Sequence, residues 1–342
     1  MDFWGFFFFF ITVFAGALGL TLGYKKLAMG LGLYDVPNNR SSHSTPVPIG
    51  AGVVFLLCSA PAMAILSYFK VISMNTFKLF VCGTVLCTLL GFIDDIKPLS
   101  AMKRLSVQFF LSLWVILELT QYLELPFEVK FIPINSVVVS VLFGVLFVMW
   151  MVNLFNFMDG MDGFLGSQSS FFALGSAALC YYSGNFGLGF AYLVLLAVLL
   201  AFLVFNWRPA KLFMGDAGAY FLGFSFALLG LVGKVELEQS LVAQVILMAV
   251  VISDATLTLL VRLYTTHRMF QAHRTHGFQK LKLKKELRVS RIIGLYSLLG
   301  FAWCMPLSFL AITYPKLSVL FCLVAYLPIL AFFAKLRVGI ES

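Results

Sequence analysis

A chain of 342 residues that is 61% hydrophobic and 11% charged, with 38 phenylalanines, cannot hide its apolar surface as an ordinary soluble domain would. It reads as an integral membrane protein. Its formal charge of +9 would suit nucleic acid in a soluble chain, but here the basic residues stand between apolar runs and report topology, so no nucleic-acid partner is expected.

Apolar runs long enough to cross about 30 Å of hydrocarbon start near residues 3, 50, 77, 105, 137, 167, 187, 212, 241, 292 and 316. They predict an all-α polytopic membrane protein of about eleven transmembrane helices, forming one domain over residues 1–342. The first run, MDFWGFFFFFITVFAGALGLTLG, has no positive n-region and is too long for a secretory signal, so it is read as the first span. Six cysteines stand singly in apolar segments without metal or disulfide spacing, which predicts lipid-facing or core thiols.

With the N-terminus outside and the C-terminus in the cytoplasm, all 24 lysines and arginines except Lys70, Lys78, Lys130, Lys234 and Lys316 fall on the inner side. The polar residues then gather in five cytoplasmic segments: 24–48, 94–104, 156–166, 207–217 and 262–291. The outward loops are short and chemically poor. Chemistry is therefore expected at the inner face.

The first of these segments contains DVPNNRSSHSTPVPIGAG, mostly turn formers, with Arg40 and His43 as its candidates. GFIDDIKPLSAMKRL follows, with adjacent carboxylates at a span end. Neighbours on a helix point about 100° apart, so Asp94 and Asp95 should do different jobs, one facing a metal or phosphate while the other pairs with Lys97 or Lys103. A charged helix end marking the interface is the plainer alternative.

In NLFNFMDGMDG, Gly160 and Gly163 predict that the helix stops. Asn156, Asp159 and Asp162 can then converge, offering oxygen ligands to a hard cation such as Mg²⁺. A polar cap with a glycine turn accounts for one of these aspartates but not for the whole set. In FNWRPAKLFMGDAGAYFLG, Pro209 opens a loop and Asp216 stands at a helix start between Gly215 and Gly218. Exposed amides there, with Lys211 nearby, suit a phosphate, and Asp216 could hold the bridging metal. Taken alone, Asp216 reads first as an N-cap.

Asp254 is the acid placed deep in a span, where it should face the protein interior, with Arg262 two turns along as a suggested partner. THRMFQAHRTHGFQKLKLKK forms the longest basic loop. Arg268, His273, Arg274 and His276 could donate to a diphosphate. Lys280, Lys282, Lys284 and Lys285 read better as a solvated face drawn to anionic headgroups. Zinc is disfavoured, because His273 and His276 have no third ligand near in sequence.

Taken in order, PNNRSSHSTPVPIGAG, GFIDD with its downstream basic pair, NxxNxxDGMDG, PAKLFMGDAG and the late His/Arg loop resemble the polyprenyl-phosphate N-acetylhexosamine-1-phosphate transferases, glycosyltransferase family 4, over nearly the whole chain. The resemblance implies transfer of a HexNAc-type sugar-1-phosphate from a UDP-sugar to undecaprenyl phosphate at the bacterial inner membrane, with Mg²⁺ required or Mn²⁺ substituting. It implies that Asp94 and Asp95 lie near the lipid phosphate with Arg104, that Asn156 and Asp216 bind the metal, and that Asp159 and Asp162 form the acidic catalytic motif. His273, Arg274 and His276 would contact the donor diphosphate, and a homodimer is compatible with it. HRTHGFQ stands where many members have a denser His-x-His cluster, which is closer to the branch that starts O-antigen or capsule chains than to the peptidoglycan translocase. The rival from another class is an ion-coupled transporter, whose acids should instead cluster near mid-membrane.

Overall fold

The computed structural model describes residues 3–37, 45–120, 137–266 and 273–340. Arg40, His43, Lys130 and Arg268 lie outside the described residues. Among the described residues the chain is all-α apart from one antiparallel pair of two-residue strands. In hydrocarbon each backbone amide must be satisfied within its own segment, and helices do this.

The helices are α1 (Phe3–Leu31), α2 (Gly52–Tyr68), α3 (Met74–Ile96), α4 (Ala101–Thr120), α5 (Val137–Met158), α6 (Phe164–Tyr182) and α7 (Phe186–Asn206). They continue as α8 (Gly215–Leu237), α9 (Leu241–Leu247), α10 (Ala249–Thr265), α11 (Gly277–Lys284), α12 (Val289–Leu299), α13 (Met305–Thr313) and α14 (Ser318–Lys335). A π-helical stretch, Gly300–Cys304, carries α12 into α13. Among the described residues, seven helical segments are long and apolar enough to cross a membrane: α1, α3, α5, α7, α8, the joined α12–α13, and α14. The pair α9 and α10, bent by 77°, makes an eighth if it is one span. The remaining predicted runs are also helical but shorter or more polar: α2 has 17 residues, α4 carries Lys103, Arg104 and Gln108, and α6 opens with Ser167, Gln168, Ser169 and Ser170.

The buried centre is α8, which packs on α3, α5 and α2 and is enclosed along nearly its whole length. A helix apolar all round belongs in such a place. At its start the chain is zipped to a distant loop. The Phe213 N–H donates to the Pro48 carbonyl (2.9 Å), and the N–H groups of Ala51 and Gly52 donate to the carbonyls of Phe213 (3.1 Å) and Met214 (3.0 Å). Strand β2 (Val47–Pro48) also pairs antiparallel with β1 (Tyr34–Asp35), so Asp35 is held beside the entry to α8.

The late basic segment departs from the expected solvated face. Lys280 is buried, and its ammonium donates to the carbonyls of Arg337 and Ile340 (2.8 Å for the latter). Those carbonyls follow the end of α14, where unpaired acceptors favour a cation. Lys284 and Lys285 are exposed as expected, while Lys282 is half-buried.

Candidate active site

Three helix ends meet around α8. The C-terminal end of α3 brings Asp94 and Asp95, the end of α5 brings Asn156, and the first turn of α8 brings Asp216. Asp94 is buried and accepts from the Leu99 N–H (2.6 Å), Arg104 Nη1 (2.9 Å) and the Tyr220 hydroxyl (3.2 Å). Its cation is therefore Arg104, not Lys97 or Lys103, because the chain reverses after Ile96 and returns the first turn of α4 over the carboxylate. The adjacent Asp95 turns elsewhere, as the 100° step requires, and accepts from the N–H groups of Asp216 (2.8 Å) and Ala217 (3.2 Å).

This changes the reading of the α8 start. Two of its free amides, expected to receive a phosphate or to be capped by Asp216 itself, are satisfied across the structure by Asp95. Gly215 makes the approach feasible: its φ of +71° suits a residue without Cβ, and a Cβ there would lie 2.3 Å from Asp95 Oδ2. Relieved of capping, Asp216 takes a hydrogen bond from Asn156 Nδ2 (2.6 Å) and brings its carboxyl within hydrogen-bonding reach of Asp94.

Asp159 stands just past α5, half-buried and close enough to Asp95, Asp162 and Asp35 to feel their charge. Burial, and then these neighbours, push its carboxyl up to about 7. Asp162 is engaged by the loop before α8. One of its oxygens accepts from the Ala210 N–H (3.2 Å), the other is buried without a hydrogen-bond partner, and the side chain borders a cavity of about 590 Å³ with Trp207, Arg208, Lys282 and Arg288. Asn153 is drawn off to Gln108 Oε1 (2.6 Å), away from the cluster. Lys211 is exposed in the loop before α8.

The late loop reaches the same neighbourhood. His276 is buried, stacked on Phe157 (centroids 6.3 Å apart), and His273 lies 4.9 Å from it, ring to ring. Burial, then the charges of His276 and Arg262, push the His273 imidazole down to about 3, so near neutrality it offers a neutral ring whose Nδ1 already engages the Thr275 hydroxyl (2.9 Å). Arg274 is half-buried and within electrostatic reach of Lys282. Asp35 and Tyr220 join the cluster without having been singled out in the sequence. Tyr220 had a signal, since it follows Asp216 by four residues and so shares its helix face. Asp35 gave none, because its position depends on the β1–β2 hairpin.

The cluster therefore presents Asp94, Asp95, Asp159, Asp216 and Asn156 with Arg104 as the cation in contact. Two carboxyls as close as Asp94 and Asp216 require a proton or a cation to share. All of these donors are oxygens, the set a hard cation prefers. Among the described residues no group of three or more His, Cys, Asp or Glu side chains is placed to hold a metal ion by itself.

Comparison with known proteins gives a family. A model of glycosyl transferase family 4 matches residues 77–234, the stretch that carries every acid of the cluster except Asp35. The chain is 27% identical over 331 residues to the probable undecaprenyl-phosphate N-acetylglucosaminyl 1-phosphate transferase of Bacillus subtilis (strain 168), covering 94% of this chain and 90% of the relative. It is 30% identical over 234 residues to the phospho-N-acetylmuramoyl-pentapeptide-transferase of Dictyoglomus turgidum, covering 66% and 72%. It is 33% identical over 219 residues to the protein of that description from Dictyoglomus thermophilum, covering 61% and 67%. Since these relatives match over most of their length and the family model falls on the helices that build the acidic cluster, the chain belongs to glycosyl transferase family 4.

Proposed function

We propose that this protein transfers a HexNAc-type sugar-1-phosphate from a UDP-sugar to undecaprenyl phosphate, giving undecaprenyl-diphosphate-sugar and UMP. A phosphate oxygen of the lipid attacks the sugar-bearing phosphorus, and the bond to UMP breaks. The soluble donor and the isoprenoid acceptor can meet only at a bilayer surface, and the basic-residue bias supports the cytoplasmic side of the inner membrane, with the N-terminus outside and the C-terminus inside. The late-loop spacing favours the branch that starts O-antigen or capsule polymers.

The observation that carries this reading is the Asp94–Asp216–Asn156 contact, in which three segments distant in sequence press acidic oxygens together beside Arg104. Asp94, Asn156 and Asp216 would hold Mg²⁺, which supplies charge neutralisation at the diphosphate when bound. Arg104 positions the lipid phosphate. Arg208, Lys282 and Arg288 line the neighbouring cavity and suit the donor's negative charge. A phosphate monoester is largely ionised near neutral pH, so positioning contributes more here than proton removal.

The test incubates purified protein with undecaprenyl phosphate, Mg²⁺ and a panel of UDP-HexNAc donors, reading UMP release. Activity with at least one donor, abolished by EDTA, is expected. Gradient-driven uptake into liposomes without UMP would show a transporter instead. A further expectation concerns Asp159. With its carboxyl near pH 7 in the metal-free protein, part of the population carries a proton below that pH, and Mg²⁺ must displace it. Apparent Mg²⁺ affinity should therefore fall as pH drops through about 7, with proton release seen by calorimetry in two buffers of different ionisation enthalpy. Asp159→Asn should flatten both. Unchanged proton release in that variant would remove Asp159 from the metal's surroundings.

A further inference from the structure

Asp254 is fully buried within α10, yet its carboxylate is engaged mainly from outside that helix. Oδ1 accepts from the Gly277 N–H (2.6 Å) and more weakly from the Thr258 hydroxyl (3.4 Å). Oδ2 accepts from the Phe278 N–H (3.1 Å) and the Tyr296 hydroxyl (2.6 Å). The first two amides of α11 thus meet this carboxylate, a strong arrangement because a buried carboxylate needs several donors at once. A carboxylate so fully engaged is suited to holding structure rather than moving protons.

What it holds adjoins the site. His276, the residue before α11, keeps Nδ1 3.6 Å from Asp254 Oδ1, beyond hydrogen-bond range. The His276 ring stacks on Phe157 and on Phe278, and Phe278 stacks on Phe164 (4.8 Å). A Cβ at Gly160 would meet the Phe278 ring at 3.0 Å. Residues 276–278 are therefore laid directly on the segment 157–164 that carries Asp159 and Asp162.

We propose that Asp254 is a positioning residue, which fixes the start of α11 and with it His276 over the 157–164 segment for donor binding. The inference rests on the transferase reading above. In the full-length protein, Asp254→Asn should raise KM for the UDP-sugar at least about tenfold while leaving KM for undecaprenyl phosphate within about twofold. Adding Asp254→Asn to His276→Asn should cost little beyond His276→Asn alone, since both act through one contact. Tyr296→Phe, which removes one donor and should fold even if Asp254→Asn does not, should shift the donor KM in the same direction and less. Equal changes in both KM values, or multiplicative losses in the double variant, would overturn the proposal. Amide exchange at Gly277 and Phe278 reads the hold without activity: it should accelerate in Asp254→Asn, and unchanged protection overturns the proposal even in active protein. Absence of UMP release from the wild-type protein with every donor would instead refute the transferase reading.

Discussion

Asp216→Asn is expected to lower UMP release by about 10²- to 10³-fold, a loss of the size seen when one preorganised electrostatic group is removed from a phosphoryl- or acyl-transfer site. The substitution keeps the size of the side chain and its place in the first turn of α8, so packing is undisturbed. It removes the carboxyl that Asn156 now contacts through its 2.6 Å hydrogen bond, and it ends the close pairing with Asp94. Without substrate that pairing is a cost: two carboxyls share a partly buried site with Arg104 as the cation in contact. Melting of the metal-free Asp216→Asn protein should therefore occur at or above the wild-type temperature while turnover collapses. Stability given up for charge is the pattern of a functional site. Turnover within about threefold of wild type would show that Asp216 is structural.

Some of this arrangement was legible in the sequence and some was not, for identifiable reasons. Apart from α11, the helices fall on the predicted apolar runs because hydrocarbon leaves the backbone no alternative. The 77° break between α9 and α10 was invisible, since one apolar run covers both and no proline or glycine lies between Leu241 and Thr265. Nothing in the local sequence explains that bend.

The different tasks of Asp94 and Asp95 followed from helix geometry alone. Their partners did not. Arg104 reaches Asp94 through the reversal between α3 and α4, and Asp95 caps a helix 121 residues away, which is a matter of tertiary packing. Asp216 resembled an N-cap because the local rule sees only its own helix, and a carboxylate from α3 had already taken that place. Lys280 resembled a surface lysine because its acceptors lie 57 and 60 residues later, at the end of α14. In each case the residue type predicted the chemistry correctly, an acid seeking amides or a cation seeking carbonyls, while the partner was set by the fold.

The closeness of α3 to α8 underlies both Asp95 contacts and leads to the second large effect, expected for Gly91→Ala. A Cβ at Gly91 would lie 2.4 Å from the Ala217 nitrogen and 2.4 Å from the carbonyl carbon and oxygen of Asp216. These are backbone atoms, so no rotamer change can relieve the clash, and the two helices must separate. Small residues at such crossings are what lets membrane helices approach this far. Overpacking there should cost about 1–3 kcal/mol of stability or more, seen as a lower melting temperature in detergent. Activity should fall further than stability does, because separation pulls Asp95 from the Asp216 and Ala217 amides and shifts Asp216 relative to Asp94. Gly16→Ala provides the control, since a Cβ at that position in α1 meets nothing within 4 Å and should leave both measurements unchanged. If Gly91→Ala melts and turns over like wild type, α3 does not lie against the first turn of α8, and the acidic cluster cannot be assembled as described.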